Sequence, residues 1–337
     1  MRYIGVDLHK STFYVCSLDL KDNRKYRQYR MEDLEEFIAG LQSEDLVAVE
    51  STGNARYFAE QLRSHVKEVK VVNPSQFKVI KNSIKKTDKH DAELLALFLS
   101  RGMLPEIRVP EALQAQLKSL AQTRDKLVKL RTTLKNKIHN ILNGHGIVSK
   151  REDFTSEKGL SRALSYPVSE LAKIEMQVIV EQIRHLNQGI AKLDDQLREK
   201  GKKLKGFKNL TSIKGIGEKS ATILLSVIGN IEDFEDEKKL SAYFGMVPRV
   251  SSSNQTVHQG RITKHGSKLG RTTLVQCCLI AKRYSPYLAK FYNNIKQRKG
   301  SGKAIIATAR KLLTIIFYTL KNNWIFEDFP NFVIQQG

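Results

Sequence analysis

The sequence predicts a mixed α/β N-terminal domain, a helical coiled-coil middle and a mainly α C-terminal domain, and three observations carry that prediction. Strand and helix signals alternate from residue 1 to about 105. Apolar residues recur at heptad spacing from about 108 to 200. Beyond a basic, glycine-flanked linker at 202–208, residues 210–326 read as helical again, with a loop-rich insert at 246–270. These shifts place domain boundaries at 1–107, 108–204 and 205–326, with a tail at 327–337.

Within the first domain, residues 3–6, 13–17 and 25–30 read as three strands with tight connections. A helix over 31–41, a strand over 46–49, a helix over 55–66 and a strand over 69–72 follow. Two more helices are expected over 74–81 and 90–100. Three strands and then repeated helix–strand units is the order of a ribonuclease H-like domain, and generic α/β sheets share much of it. In the middle region Leu113, Leu117, Leu120, Leu127, Leu130, Leu134, Ile138 and Ile141 mark one stripe. Ile179, Ile183, Leu186, Ile190, Leu193 and Leu197 step by four and three, a seam for two antiparallel helices or for a partner subunit.

The charge balance points to the partner. Across 337 residues, 57 Lys and Arg against 35 Asp and Glu leave a net +22, which favours a polyanion, most commonly nucleic acid. Cys16, Cys277 and Cys278 are too few and too badly spaced for a disulfide framework or a four-ligand zinc site. MRYIGVDLHK has no signal-peptide core and no stretch reaches membrane-span length, so a soluble, cytoplasmic, nucleoid-associated protein is expected.

Four acids stand where strands end or a helix starts: Asp7 in IGVD, Glu50 in VAVES, and Asp88 and Asp91 in KTDKHDAELLA. Strand ends project side chains from one sheet edge, and a helix N-terminus can bring two more acids to it. Carboxylates gathered there repel unless cations sit between them, and hard oxygen donors suit Mg²⁺. Two such ions roughly 4 Å apart stabilise the attacking and leaving oxygens of phosphoryl transfer. The plainer reading is that Asp88 and Asp91 cap a helix and the others are turn residues.

From Lys238 to Phe326 there is no acid at all among seventeen Lys and Arg. That segment holds phosphate better than metal. Within it, GMVPRVSSSNQTVHQGRITKHGSKLGR places Ser251, Ser252 and Ser253 near Arg249, Arg261, Lys264, His265, Lys268 and Arg271. A serine becomes a nucleophile once deprotonated, and surrounding cations hold the scissile phosphate; a serine-rich loop is also often only a loop. The acids needed for such a step would have to be delivered from elsewhere, so a composite active centre is expected. Upstream, LTSIKGIGEKSATILLSVIG carries the glycine pattern of a helix-hairpin-helix element, in which Lys214, Gly215 and Gly217 would meet DNA phosphate through backbone N–H groups and charge. Paired glycines can equally break a helix.

The runs IGVDLHK, VAVESTGN and VVNPSQFKVIKNSIKKTDKHDAELLA resemble the DEDD domain of IS one-ten family transposases, encoded by bacterial insertion sequences. LTSIKGIG and LSAYFGMVPRVSSSNQTVHQGRITKHGSKLGR resemble that family's C-terminal transposase domain, so the resemblance spans nearly the whole chain. It implies a RuvC-like, Mg²⁺-dependent site formed by Asp7, Glu50, Asp88 and Asp91. It also implies a serine that becomes covalently linked to DNA, five positions after the proline of G-x-x-P, which here is Ser253. Asn254 stands where the family usually has glycine, and Asn tolerates the left-handed backbone glycine would supply; Ser251 and Ser252 are the adjacent alternatives. The resemblance further implies homo-oligomers (dimer or tetramer), donor and target DNA, and a structured noncoding RNA as partners. The competing readings are a Holliday-junction resolvase or other metal-dependent nuclease in which water attacks, and a non-catalytic nucleic-acid scaffold.

Overall fold

Alternating burial builds the first sheet. In β1 (Tyr3–Leu8), Ile4, Val6 and Leu8 face one layer while Gly5 and Asp7 face the other. β2 (Thr12–Leu18) returns antiparallel to β1, and β3 (Arg24–Arg30) pairs with β2 in turn. β3, RKYRQYR, is the sheet's outer strand, and its exposed charges discourage pairing with another chain. A 3₁₀ turn and α1 (Leu34–Ala39) lead to β4 (Leu46–Glu50), which lies parallel to β1. α2 (Ala55–Leu62) crosses over to β5 (Glu68–Val72), parallel to β4, and the short β6 (Glu106–Ile107) closes the order β3-β2-β1-β4-β5-β6. The computed structural model describes residues 1–72, 87–104, 106–107, 110–253 and 256–326; the helix expected over 74–81 and the tail at 327–337 lie outside them.

One sheet face packs Val6, Leu8, Phe13, Phe37, Phe58 and Leu62 into a core, each such fully buried side chain stabilising by roughly 1.5–3 kcal/mol. α3 (Asp88–Ser100) covers the other face through Ala92, Leu95, Ala96 and Leu99. Its small residues let it come close. A Cβ on Gly5 would lie 2.0 Å from the Ala92 carbonyl oxygen and 2.5 Å from the Ala96 nitrogen.

The chain divides into two compact units, Met1–Pro110 and Glu111–Gly337. In the second, α4 (Ala112–Gly144) and α6 (Glu170–Gly201) run antiparallel, as the rungs Arg124–Asp194, Arg131–Asn187 and Lys137–Glu175 show. Ile138, Leu142, Met176, Ile179 and Ile183 bury one end of the pair with α5 (Glu157–Ala163), while Leu130, expected in the seam, is exposed. Leu117, Ala121 and Leu197 at the other end enter the core of α7 (Phe207–Thr211), α8 (Glu218–Ile228), α9 (Glu237–Tyr243), α10 (Lys268–Tyr284) and α12 (Ser301–Lys321). α11 (Pro286–Lys299) joins that core through Leu288. α8 is central, every residue from Ala221 to Ile228 being buried.

Two stretches differ from the sequence expectation. The basic segment at 202–208 is a packed corner, because Leu204 and Phe207 anchor it in the core. Within the insert at 246–270, β7 (Pro248–Ser253) and β8 (Thr256–Ile262) form an antiparallel hairpin. Valine and threonine, strand-favouring residues, outweighed the serines there. Cys16, Cys277 and Cys278 are buried thiols, and among the described residues no helix is long and apolar enough to cross a membrane.

Candidate active site

Strand register brings the first two acids together. β1 and β4 run parallel with Val6 beside Val49, so the next position along sets Asp7 beside Glu50 at the C-terminal edge of both strands, where open α/β sheets bind their ligands. Asp7 is buried. Its pKa is pushed up from 3.8 to about 7, first by burial and then by a hydrogen bond shared with Glu50. His9 offsets part of that rise, and the charges of Glu50 and Asp88 add to it.

The third acid arrives on α3. The cap of that helix is Thr87, whose side chain accepts from the His90 backbone N–H, so neither Asp88 nor Asp91 serves as the N-cap. Asp88, half exposed, reaches the Asp7 neighbourhood through an imidazole: His9 Nε2 lies 3.4 Å from Asp88 Oδ2 and 3.5 Å from Asp7 Oδ2. These three donor atoms lie within 4.8 Å of one another, a group able to hold a metal ion. Glu50 adjoins the group through Asp7. Asp91, half-buried one helical turn beyond Asp88, is outside that group, and its Oδ1 is shielded from solvent.

His9 was not among the expected site residues. Its backbone is fixed on both sides: its N–H donates to the Thr12 carbonyl at 2.9 Å, and its own carbonyl accepts from Asn54 Nδ2 at 2.9 Å. Asn54 belongs to the ESTGN run after β4, and its Oδ1 accepts from the Thr52 hydroxyl. No local signal marks it, since β1 ends at Leu8; the tertiary approach of Asp88 and Asn54 does.

The donor chemistry fits a divalent cation. Two carboxylates and an imidazole supply one nitrogen and at least two oxygens. A cation between them would supply the countercharge that Asp7, crowded by Glu50 and Asp88, lacks.

In the second unit, the expected nucleophile Ser253 is the last residue of β7, with Ser251 and Ser252 before it; in register they pair with Thr256, His258 and Val257 respectively. The hairpin's base is clamped by two glycine turns. Gly245 (φ +65°) and Gly266 (φ +104°) each approach the other segment's backbone so closely that a Cβ would sit 2.0 Å from the His265 or Tyr243 carbonyl oxygen. Lys264 N–H donates to Gly245 O, and Thr263 N–H to Val247 O. Arg271 donates through Nη1 to the carbonyls of Phe244 and Gly266, so its guanidinium ties this clamp together. Arg249, Arg261, Lys264, His265 and Lys268 are exposed around it.

The turn between α7 and α8 uses its glycines differently. Gly215 (φ +107°) is pressed against Ala281 of α10, where a Cβ would meet the backbone nitrogen at 2.6 Å. Gly217 precedes α8 in open space, and Lys214 is exposed beside it.

Residues 207–293 match the model of the transposase IS116/IS110/IS902 family, and residues 4–147 match that of the DEDD transposases of IS110 type. A probable family 20 transposase of Pseudomonas aeruginosa is 27% identical, over 94% of this chain and 96% of that protein. The transposase for insertion sequence element IS1111A of Coxiella burnetii is 26% identical, over 95% and 90%. The pilin gene-inverting protein of Moraxella bovis is 28% identical, over 96% and 97%.

Proposed function

The chain belongs to the IS116/IS110/IS902 family of transposases, and from that membership we propose that it cuts and rejoins DNA strands for an insertion sequence by a metal-assisted, serine-linked route. The observation that carries this reading is the gathering of Asp7, Glu50 and Asp88 at one edge of an α/β sheet, with the Asp7 pKa raised first by burial and then by its acidic neighbours. Acids placed against their own repulsion suit cation binding, and the family match gives the cation a reaction.

In this proposal Asp7, Glu50, Asp88 and Asp91 hold one or two Mg²⁺ ions, which when bound neutralise charge on a phosphate. Asp91 would contribute from the next turn of α3. The Ser253 hydroxyl loses its proton to solvent or a nearby base and attacks phosphorus. The Oγ–P bond forms as one sugar C–O–P linkage breaks at phosphorus, and the departing sugar oxygen takes a proton. The phosphoserine ester conserves the bond, so a second sugar hydroxyl can displace the serine and restore a phosphodiester. Arg249, Arg261, Lys264, His265 and Lys268 surround the hairpin's base with donors for phosphate. Gly217 and Lys214 would hold backbone phosphate at the start of α8. The ribonuclease H-like, RuvC-like reading of the sheet, the coiled-coil reading of α4 and α6, homo-oligomerisation and guidance by a structured noncoding RNA all belong to the same proposal.

The test is a denaturing gel. Protein incubated with Mg²⁺, element-end DNA and the element's noncoding RNA should yield a covalent protein–DNA adduct. Ser253→Ala should lose the adduct and Asp7→Asn should lose cleavage. A Ser253→Ala protein that cleaves at full rate points instead to a water-attacking nuclease, and loss of the adduct only with Ser251→Ala or Ser252→Ala reassigns the nucleophile. Cleavage that survives Asp7→Asn removes the metal from the scheme.

A further inference from the structure

Among features the proposed reaction leaves unused, His9 is the one whose surroundings say what it does. We propose that His9 is an inner ligand of the metal held by Asp7 and Asp88, and that its nitrogen gives the site a preference for Mn²⁺ over Mg²⁺. The inference rests on the metal reading above and adds to it a third donor and a selectivity.

The distances argue for shared coordination. A charge-assisted hydrogen bond between imidazolium and carboxylate closes to about 2.7–2.9 Å, whereas His9 Nε2 stands 3.5 Å from Asp7 Oδ2 and 3.4 Å from Asp88 Oδ2. Both gaps are too long for direct bonding and nearly equal. They match the edges of a coordination shell, because donors bound at about 2.0–2.2 Å lie about 3.0–3.5 Å apart around one ion. The ring is also delivered rather than trailing. Its backbone is tied to Thr12 and to Asn54, from β2 and from the start of α2, and its side chain is half exposed, leaving solvent on the open side.

Donor type then sets the selectivity. Mg²⁺ prefers oxygen and retains its water, so it gains little from an imidazole. Mn²⁺ shares the taste of Mg²⁺ for carboxylate and water, but as the first member of the transition series it also accepts an imidazole, the donor that suits the later members best. A site of two carboxylates and one imidazole therefore holds Mn²⁺ more tightly than an all-carboxylate site would, while its hold on Mg²⁺ stays much the same.

The experiment uses the full chain, with Mn²⁺ and Mg²⁺ as the only probes and no DNA. Mn²⁺ binding is followed by electron paramagnetic resonance, Mg²⁺ affinity by competition, and metal-bound nitrogen by pulsed measurement of its hyperfine coupling. We expect nitrogen coupling in the native protein that changes to the ¹⁵N pattern when histidine is ¹⁵N-labelled. It should vanish in His9→Ala and persist in His90→Ala. His9→Ala should weaken Mn²⁺ binding on the order of tenfold and Mg²⁺ binding less than about twofold. Bound Mn²⁺ without nitrogen coupling in the native protein, or coupling that survives His9→Ala, overturns the role of His9 and leaves the carboxylate site standing. Mn²⁺ binding unchanged in both Asp7→Asn and Asp88→Asn overturns the metal reading itself. The ¹⁵N-labelled native protein reads the ligand without any substitution.

Discussion

Gly5→Ala should unseat α3 and with it the third acid of the site. The added Cβ would lie 2.0 Å from Ala92 O, 2.5 Å from Ala96 N and 2.9 Å from Leu95 Cβ. Ordinary contacts begin near 3.4 Å, and the two nearest atoms are helix backbone, so α3 must retreat on the order of an ångström. Overpacking of this kind costs typically 1–3 kcal/mol, and the retreat also loosens Leu95, Ala92 and Ala96 from their sheet partners. Alanine returns about 0.4–1 kcal/mol by stiffening the unfolded chain, which leaves a net loss of about 1–2 kcal/mol. For a unit of roughly 100 residues that lowers Tm by about 4–16 °C, measurable by calorimetry. Asp88 rides on the first turn of α3, so its 3.4 Å spacing from His9 should open and Mn²⁺ affinity should fall. Gly53→Ala, where nothing lies within 4 Å of the new atom, is the control and should leave both quantities unchanged. A Gly5→Ala protein with native Tm and native metal affinity would refute the argument that this close approach positions the site.

Four further outcomes are expected. Asp7 has a folded pKa of about 7 against 3.8, so its ionisation destabilises the fold as pH rises between those values, by at most about 4 kcal/mol; in metal-free buffer Asp7→Asn should therefore raise Tm at pH 8 while leaving it nearly unchanged at pH 4. Gly245→Ala and Gly266→Ala each combine positive φ with a 2.0 Å backbone collision, so each should cost more than about 3 kcal/mol in chemical denaturation and abolish the covalent DNA adduct. Arg271→Ala, which frees two carbonyls of the clamp, should lower stability by about 1–3 kcal/mol; Arg261→Ala should leave Tm within about 1 °C yet reduce the slope of log affinity against log salt by about 1 in a DNA titration.

The sheet was legible because its signals are local. Alternation in IGVDL and TFYVCSL, and apolar runs in LVAVE and EVKVV, define strands wherever they fall in the fold. The meeting of Asp7, Glu50 and Asp88 at one edge was legible for the same reason: strand ends and a helix start are local signals, although each acid alone reads equally as a cap or turn residue. His9 was hidden because a histidine in a turn has many uses, and only the tertiary approach of Asp88 and Asn54 marks it. The serine hairpin was hidden by composition, since SSSNQ reads as loop while the register to Thr256–Ile262 is a long-range fact. Likewise Arg271 looked like the other bases of its run; its two carbonyl partners, one of them twenty-seven positions away, set it apart.

The devices that assemble the carboxylates are all indifferent to charge. A parallel register sets Asp7 beside Glu50, and a side-chain-free position at Gly5 lets α3 carry Asp88 inward. Packing of Leu95, Ala92 and Ala96 holds that helix down. Acids that served the fold as caps or ion-pair members would weaken it when removed. Asp7 is not a cap, since Thr87 caps α3, and its burial and two neighbouring acids outweigh its one contact with His9 in raising its pKa. Its removal should therefore strengthen the metal-free fold while disabling the chemistry, the opposite sign from a structural role. That sign separates the two explanations of the cluster in a single melting experiment, without DNA, RNA or an assay of transposition.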